Sequence, residues 1–508
     1  MGNVRHLPSQ DEETGAGVIQ GGMTMATEVE GKQVLDGQSH GPHSSDGELS
    51  DVGVMSERIG LFAADLSFTD LPIPVVEHAK RCLLDSVGIA FASGAYDFAR
   101  RALCALATDN IGGTYPVIGF QERLGRRDSA LFNGVLIHGL DFDDTHVPGV
   151  VHASSSALPA ALAVGVERHL SGRELLIGYV LGLEVTSRLG IAAGGEFHQV
   201  GFHPTGLVGA FGAATLAGRM RGLPSHAIAL AQGIVGSMAA GSLEFLETGA
   251  WTKRLHPGWA AGAGLVAASL AAEGFTGPER IYEGRFGLYR SHLGQTWDGD
   301  PISALDGLGE RWEVLRIALK PFPACHFTHA FADAALALRR EGLRADQIAS
   351  VECLIGAGEV GTVCEPAESK KHPHSDYEAK FSLAFVVAAS LVRGRLSLAE
   401  FDEGTLFDPQ VMELADKVSY RIDPGSGFPR HYSGEVVVTT TDGRMLRHRE
   451  QINRGAEERP LTDTDVSTKF RDNVMLVRSR SFADRMEEVL LSLESCKDVA
   501  QLAEMLRG

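Results

Sequence analysis

The sequence predicts two domains, a large all-α helical domain followed by a smaller α+β domain. Up to residue 320, segments rich in Ala, Gly and Leu repeat apolar residues at helical spacing, while the alternation typical of strands is almost absent. Around Pro321 and Pro323 the chain becomes rich in proline, and from Ile348 onwards the apolar period shortens to two residues. The length of 508 residues is sufficient for two domains, each with its own core.

The large domain is predicted over residues 56–320 and is completed by residues 460–508. Glycine and proline punctuate its apolar segments, for example at Gly112–Gly113 and Pro148–Gly149, and separate one helix from the next. Many of its helices are rich in small residues, so close packing of their backbones is expected. The predicted helices cover residues 75–92, 98–108, 128–140, 156–169, 173–194, 204–221, 225–245, 259–272 and 481–507.

The smaller domain is predicted over residues 321–456. Val351, Cys353 and Ile355 alternate with polar residues, as in a half-buried strand, and Asp442-Gly443 is a typical hairpin turn. Further strands are predicted at residues 418–422, 434–440 and 444–449, and helices at residues 330–343 and 377–392.

A G-x-G-x-x-G pattern follows the first predicted strand of the smaller domain, from Gly356 to Gly361. A dinucleotide site also needs a helix that opens at the glycines and a second strand that ends in an acidic residue. Pro366 and Pro373 interrupt the segment that follows. We therefore do not expect this pattern to bind a dinucleotide.

The composition limits the classes of partner. A net charge of −19 argues against nucleic acid and anionic membrane surfaces, and no uninterrupted apolar run reaches the roughly 18 residues of a membrane span. Residues 1–52 are acidic and poor in aromatics, which predicts a disordered tail without a secretion signal. The six cysteines are dispersed without a C-x-x-C pair, so a reducing, cytoplasmic location fits best.

The chain is organised around the stretch Asn133–Ala161, in which several ionisable groups lie beside apolar, core-type sequence. Charge in such a position costs stability unless it is paired, and sequences usually break this rule where there is chemistry. Three interpretations stay open: a metal site, an acid–base pair of carboxylate and imidazole, or a helix end at which Asp143 or Asp144 is a cap and Asp141 pairs with an Arg. The charged and polar residues of the stretch are Asp141, Asp143, Asp144, Thr145, His146 and His152.

The motif NG..IHGLDFDDTH…H.SSSALPA in this stretch resembles the MmgE/PrpD family, which includes 2-methylcitrate dehydratases, cis-aconitate decarboxylases and an iminodisuccinate epimerase. Further matches extend the resemblance from about Ser56 to the C-terminus. The resemblance implies an enzyme that needs neither a metal nor an organic cofactor and that forms a homodimer. It also implies a hinge near Lys320, so that the smaller domain acts as a lid over the site.

The resemblance implies site residues outside the central stretch as well. A His-Pro that lines the family's pocket corresponds to His203-Pro204, and a Lys–His pair corresponds to Lys253 and His256. The substrate-contacting lysine at the hinge corresponds to Lys320. Cys325 and His326, which follow it, are further candidates for the pocket wall.

The function predicted from these residues is a lyase reaction on a small di- or tricarboxylate, because many cationic groups suit a polyanion. His152 is expected to transfer the proton, Asp141 to orient an imidazole or a substrate hydroxyl, and Thr145 to donate a hydrogen bond. Lys253, Lys320 and His203 are expected to hold carboxylates. Dehydration of 2-methylcitrate or citrate is the leading prediction, and the alternatives are decarboxylation of cis-aconitate, epimerisation of an iminodicarboxylate and carboxylate binding without turnover.

Overall fold

The computed structural model describes residues 54–109 and 112–508, so the predicted tail over residues 1–52 lies outside the described residues. The first part of the chain is mainly helical, as its apolar spacing predicts. Its helices are Met55–Asp65, Ile73–Ser93, Asp97–Thr108, Arg126–His138, Ser154–Arg168, Gly172–Ala192, Glu196–Gln199, Pro204–Met220, Ser225–Val235, Thr252–Ala272 and Leu288–Leu293.

Two small antiparallel pairs of strands interrupt these helices. Tyr115–Val117 pairs with Phe120–Leu124 as a hairpin. The second pair has consequences for the site, because it joins distant parts of the chain: Thr145 lies opposite Ala318, and His146 lies opposite Ile317. This short ladder brings the acidic stretch beside the segment that contains Lys320.

The following part of the chain forms a mixed sheet with helices against it. The four strands lie in the order Val418–Ile422, Ile348–Ile355, Gly434–Thr440 and Met445–Glu450. The first two strands are parallel, and the other neighbours are antiparallel. The helices are His329–Arg340, Ala357–Val363, Ala367–Lys371, Asp376–Ala379, Leu383–Arg393, Glu403–Leu406 and Pro409–Asp416.

The chain ends in three further helices, and these pack against the first part. They are Asp463–Met475, Arg480–Leu491 and Val499–Met505. Phe470, Met486 and Leu502 belong to the same hydrophobic cluster as the helices of the first part. A second cluster covers the mixed sheet and its helices. The structure is thus a two-domain architecture with a large helical core and a smaller α+β core.

The helices of the large core pack closely because glycines face one another at their crossings. A Cβ atom on Gly134 would lie 2.5 Å from the Cα atom of Gly258, and one on Gly258 would collide with the backbone oxygen of Leu131. The helix Thr252–Ala272 therefore lies directly against the helix Arg126–His138. This contact matters for the site, because it fixes the first turn of Thr252–Ala272 next to the acidic stretch.

Several predicted boundaries differ from the structure. The helix predicted at 259–272 begins at Thr252 and continues through Pro257, which lies inside it, so the cationic residues before Pro257 are helical. The helix predicted at 225–245 ends at Val235. The helix predicted at 377–392 is broken into two pieces, and Ser382 caps the second one by accepting a hydrogen bond from the backbone N–H of Phe385.

Contrary to the prediction, the G-x-G-x-x-G segment opens a helix, Ala357–Val363. At the start of this helix, a backbone N–H group already has a hydrogen-bond partner within the chain. The carboxylate of Glu359 accepts a hydrogen bond from the backbone N–H of Gly356 at 3.0 Å. A carboxylate therefore occupies the place in which a phosphate would lie in a nucleotide site.

Among the described residues, one helix is long and apolar enough to cross a membrane by length and composition, Gly172–Ala192. It lies inside the large core, since 89% of its most apolar window is buried. Its glycines face other helices, as Gly182 does against Ala157. These are the properties of a core helix.

The glycine contact gives a first prediction. Gly258→Ala should lower the free energy of unfolding by about 1–3 kcal/mol, because the added methyl group forces two helices apart. Gly262→Ala in the same helix is the matched control, since its methyl group would meet the side chain of Arg127 at 3.2 Å and the backbone oxygen of Arg127 at an ordinary contact distance of 3.7 Å. We expect that control to be neutral or slightly stabilising. Denaturant unfolding measures both, and equal effects would contradict the proposed contact.

Candidate active site

Eight of the nine residues predicted for the site line one enclosed cavity. It lies where the two hydrophobic clusters meet, and its volume is about 40 Å³. The large core supplies the charged wall, and residues such as Phe381 and Tyr432 supply the opposite wall. The eight residues are Asp141, Thr145, His152, His203, Lys253, Lys320, Cys325 and His326.

Asp141 lies at the centre of the charged wall, fully buried between two lysines. Lys253 donates to one carboxylate oxygen of Asp141. Lys320 donates to the other oxygen at 3.2 Å and to the backbone oxygen of Asp141 at 2.9 Å. The backbone of Asp141 has a φ of 53°, a left-handed conformation that Asp tolerates better than most residues. This turn aims both its carboxylate and its carbonyl at the lysines.

The two lysines decide the ionisation of this group. Burial by itself would raise the pKa of Asp141, but the positive charges of Lys253 and Lys320 outweigh burial and hold the pKa well below its usual value. Asp141 is therefore a carboxylate at neutral pH. It neutralises part of the positive charge of the wall.

His152 reaches the cavity through a short, strained loop. The backbones of His146 and Val151 form two hydrogen bonds and close the loop, and Val150 within it has a φ of 53°, which is unusual for a β-branched residue. The Nδ1 atom of His152 lies 2.7 Å from the backbone oxygen of Asp144 and 3.3 Å from the hydroxyl of Thr145.

These contacts fix the orientation and the charge of the ring. Since the carbonyl of Asp144 accepts the proton on Nδ1 of His152, Nε2 is the nitrogen left to accept a proton. Burial, together with the nearby lysine charges, lowers the pKa of His152 well below its usual value, although Asp143 opposes this. The imidazole is therefore neutral before a ligand enters.

Asp144 itself is a structural group. It accepts hydrogen bonds from the backbone N–H of Ser154 at 3.3 Å and from its hydroxyl at 2.7 Å, at the start of the helix Ser154–Arg168. Burial and the charge of Asp143 raise the pKa of Asp144 to about 8. The hydroxyl of Tyr179 lies 2.5 Å from that of Ser154 and completes the network.

His203 lies at the positive end of the helix Pro204–Met220, where Pro204 occupies the first turn. Its ring stands 5.4 Å from that of His138 and 5.9 Å from that of His152, measured between ring centres. Its Nδ1 lies 3.1 Å from Nδ1 of His256. His256 does not line the cavity and instead supports His203 from behind.

The opposite wall is more apolar. Burial raises the pKa of the Cys325 thiol to about 11, so a thiolate nucleophile is not favoured there. Nε2 of His326 lies 2.7 Å from the amide of Asn453, and its ring packs 5.3 Å from that of Tyr432. Burial, with the charge of Lys320, lowers the pKa of His326 well below its usual value.

A third lysine supports the charged wall from outside the cavity. Lys469, in the helix Asp463–Met475, donates to the backbone oxygens of Lys320 at 2.9 Å and of Phe142 at 2.8 Å. Its ammonium also pairs with Asp85 at 2.7 Å. One buried side chain thereby joins the acidic stretch, the segment of Lys320 and the helix Ile73–Ser93.

The structure bears on the helix-end interpretation of the acidic stretch. Asp144 caps a helix as expected, but the partners of Asp141 are lysines and not an Arg. His146 pairs with Glu313 at 3.1 Å and does not line the cavity.

Sequence reasoning missed several residues of the site. Nδ1 of His138 bonds to the carboxylate of Asp143 at 2.8 Å, and both lie in the stretch that the motif already marked. His198 also lines the cavity and was visible near His203. Thr362, Phe381 and Tyr432 have no signal in the sequence, because only the approach of the second core brings them here.

The MmgE/PrpD N-terminal domain model matches residues 57–299, and the MmgE/PrpD C-terminal domain model matches residues 322–495. The cis-aconitate decarboxylase of Homo sapiens is 31% identical, over 85% of this chain and 90% of that protein. That of Aspergillus terreus is 26% identical, over 89% and 96%. The cis-aconitate decarboxylase-like protein oryM of Aspergillus oryzae is 26% identical, over 90% and 98%.

The support from Lys469 gives a prediction for stability. Lys469→Met should lower the free energy of unfolding by about 3–5 kcal/mol, because Asp85 keeps a buried charge without a partner. The double variant Asp85→Leu/Lys469→Met should recover most of that loss. The exposed Lys497→Met is the control, with a change below about 0.5 kcal/mol. A double variant no more stable than Lys469→Met alone would contradict the pairing.

Lys380 gives a prediction for pH. Its side chain is buried, and burial lowers the pKa to about 7. Between pH 7 and about 10 the unfolded chain therefore binds a proton that the folded chain lacks. The free energy of unfolding should rise there by about 1.4 kcal/mol per pH unit more than in Lys380→Met. Denaturant unfolding at pH 7, 8 and 9 compares the free energies of unfolding of the parent protein and of Lys380→Met. A difference between them that stays constant with pH would refute the lowered pKa.

Proposed function

The chain belongs to the MmgE/PrpD family, and from this premise we propose that it is a carboxy-lyase that removes CO2 from a small tricarboxylate such as cis-aconitate. One observation carries the proposal: two lysines and several buried histidines line one enclosed cavity of a chain whose net charge is −19. An acidic protein gathers positive charge in this way where it must hold an anion.

Lys253 and Lys320 have further N–H donors that can bind substrate carboxylates. An ammonium group carries three N–H donors. Among the described residues, Lys253 uses one of them on Asp141, and Lys320 uses two, both on Asp141. We propose that the remaining donors bind two carboxylates of the substrate. His203, at a helix N-terminus, contributes a further polar contact for an anion.

The electron pair left by the departing CO2 needs stabilisation and then a proton. The bond between carbon and the leaving carboxylate breaks, and its electrons delocalise toward a carboxylate that the lysines hold. Fixed positive charge in a buried cavity stabilises this developing charge strongly. The carbon then takes up one proton, which balances the loss of CO2.

We propose that His152 delivers this proton from its Nε2 atom. Thr145 and the carbonyl of Asp144 fix its tautomer, so that the nitrogen not bound to them is free for the substrate. The negative charges of a bound substrate favour the protonated imidazole. Asp141 keeps both lysines in place and limits the positive charge before the substrate binds.

Decarboxylation is preferred over the dehydration favoured from the sequence alone. The relatives at 26–31% identity are cis-aconitate decarboxylases, and each match covers most of both chains. Dehydration of 2-methylcitrate would use the same lysines, with His152 as a base. The leading prediction from the sequence therefore becomes the second candidate.

We further propose that the smaller domain opens to admit the substrate. A cavity of about 40 Å³ holds only a few water molecules, so a tricarboxylate requires movement of a wall. The segments around Phe381 and Tyr432 are suited to move, because they belong to the second core. A homodimer and a cytoplasmic location stay predictions.

A substrate panel tests the proposed reaction. The purified protein is incubated separately with cis-aconitate, citrate, 2-methylcitrate and iminodisuccinate. Release of CO2 from cis-aconitate supports the proposal, whereas a new double bond from 2-methylcitrate marks a dehydratase. Exchange of a proton with solvent alone marks an epimerase. Binding without any of these products would contradict an enzymatic role.

His152→Gln should lower kcat by about 100-fold or more, with little change in KM, if this ring moves the proton. Lys253→Met should chiefly raise KM, because it removes a charged partner of a substrate carboxylate. His169→Gln and Lys497→Met, both at exposed positions, are the matched controls. A His152 variant whose defect is confined to KM would remove His152 from the proton-transfer step.

A further inference from the structure

Three buried histidines lie close together beside the charged wall. One ring nitrogen from each of His138, His152 and His203 lies within 4.8 Å of the other two. They come from three separate segments of the chain: the end of one helix, the loop before a second and the residue that precedes a third. Three convergent imidazoles are a donor set that suits divalent transition metals.

The second nitrogen of each ring is already bound. Nδ1 of His138 bonds to Asp143, Nδ1 of His152 lies beside the backbone oxygen of Asp144, and Nδ1 of His203 lies beside His256. Carboxylate and carbonyl partners on Nδ1 are the usual supports of metal-binding histidines. Nε2 of His138 and Nε2 of His203 are buried and have no hydrogen-bond partner in the part of the chain that the structure describes.

We propose that His138, His152 and His203 bind a Zn²⁺ ion, and that this ion inhibits the enzyme by occupying the imidazole that moves the proton. The fourth position of the ion is open to water or to a carboxylate of the ligand. Binding requires the three rings to turn toward one another, because Zn–N bonds of about 2.0–2.1 Å place tetrahedral ligands roughly 3.3 Å apart.

The surroundings supply negative charge for the ion. The carboxylate of Asp143 bonds directly to His138, and that of Asp141 lies in the same wall. Lys253 and Lys320, which already pair with Asp141, both oppose a cation there, so the affinity is expected to be that of an inhibitory site and below that of a structural zinc site. The binding claim stands apart from the proposed reaction, since the metal is titrated without substrate.

The experiment titrates the full-length, metal-stripped protein with Zn²⁺ in a calorimeter and with Co²⁺ in a spectrophotometer. One ion per chain and the visible absorption of four-coordinate Co²⁺ are expected. His138→Gln should weaken the affinity for Zn²⁺ and for Co²⁺ by more than tenfold. His226→Gln, at an exposed position, should leave both affinities unchanged. Equal affinity in His138→Gln, or no binding to the unmodified protein, would overturn the proposal.

Two further variants exclude other metal sites. Cys104→Ser removes an exposed thiol, and His40→Gln/His43→Gln removes imidazoles outside the described residues. Both variants should still bind one ion per chain. Loss of binding in either variant would refute the three-histidine site. If His138→Gln fails to fold by circular dichroism, His203→Gln takes its place. Where the protein turns over a substrate, Zn²⁺ should lower kcat in the parent and less in His138→Gln.

Discussion

The ion pairing of Asp141 with Lys253 and Lys320 is the interaction on which the rest of the site depends. Two ammonium groups so close together, without solvent, would repel one another and lose their hydration at a cost of several kcal/mol each. A single carboxylate bonded to both offsets this cost. The pairing still leaves the wall with N–H donors that can hold a polyanion.

The packing of the large helical core places the charged groups of this pairing close together. Gly134 and Gly258 let two helices touch, and this contact places the first turn that carries Lys253 beside the turn of Asp141. The ladder between Thr145–His146 and Ile317–Ala318 does the same for Lys320. Lys469 then secures both backbones from the far side. Packing of apolar helices thus sets distances between charged groups.

Burial gives the histidines of the cavity their chemistry. A protonated imidazolium cannot serve as a base, whereas the neutral imidazole of His152 has one nitrogen fixed by a carbonyl and one available. The same neutrality makes His138, His152 and His203 potential ligands for a metal. The proposed proton transfer and the proposed metal binding would therefore compete for His152.

The sequence alone determined the two-domain class, the order of most helices and eight of the residues that line the cavity, because apolar spacing and a family motif are properties of the chain read in order. Only the tertiary structure decided that Lys and not Arg pairs with Asp141, that His256 stands behind His203, and that Phe381 and Tyr432 close the opposite wall. These partners are more than 50 residues apart in the chain. Their meeting depends on how helices and cores pack, and no local pattern in the sequence encodes it.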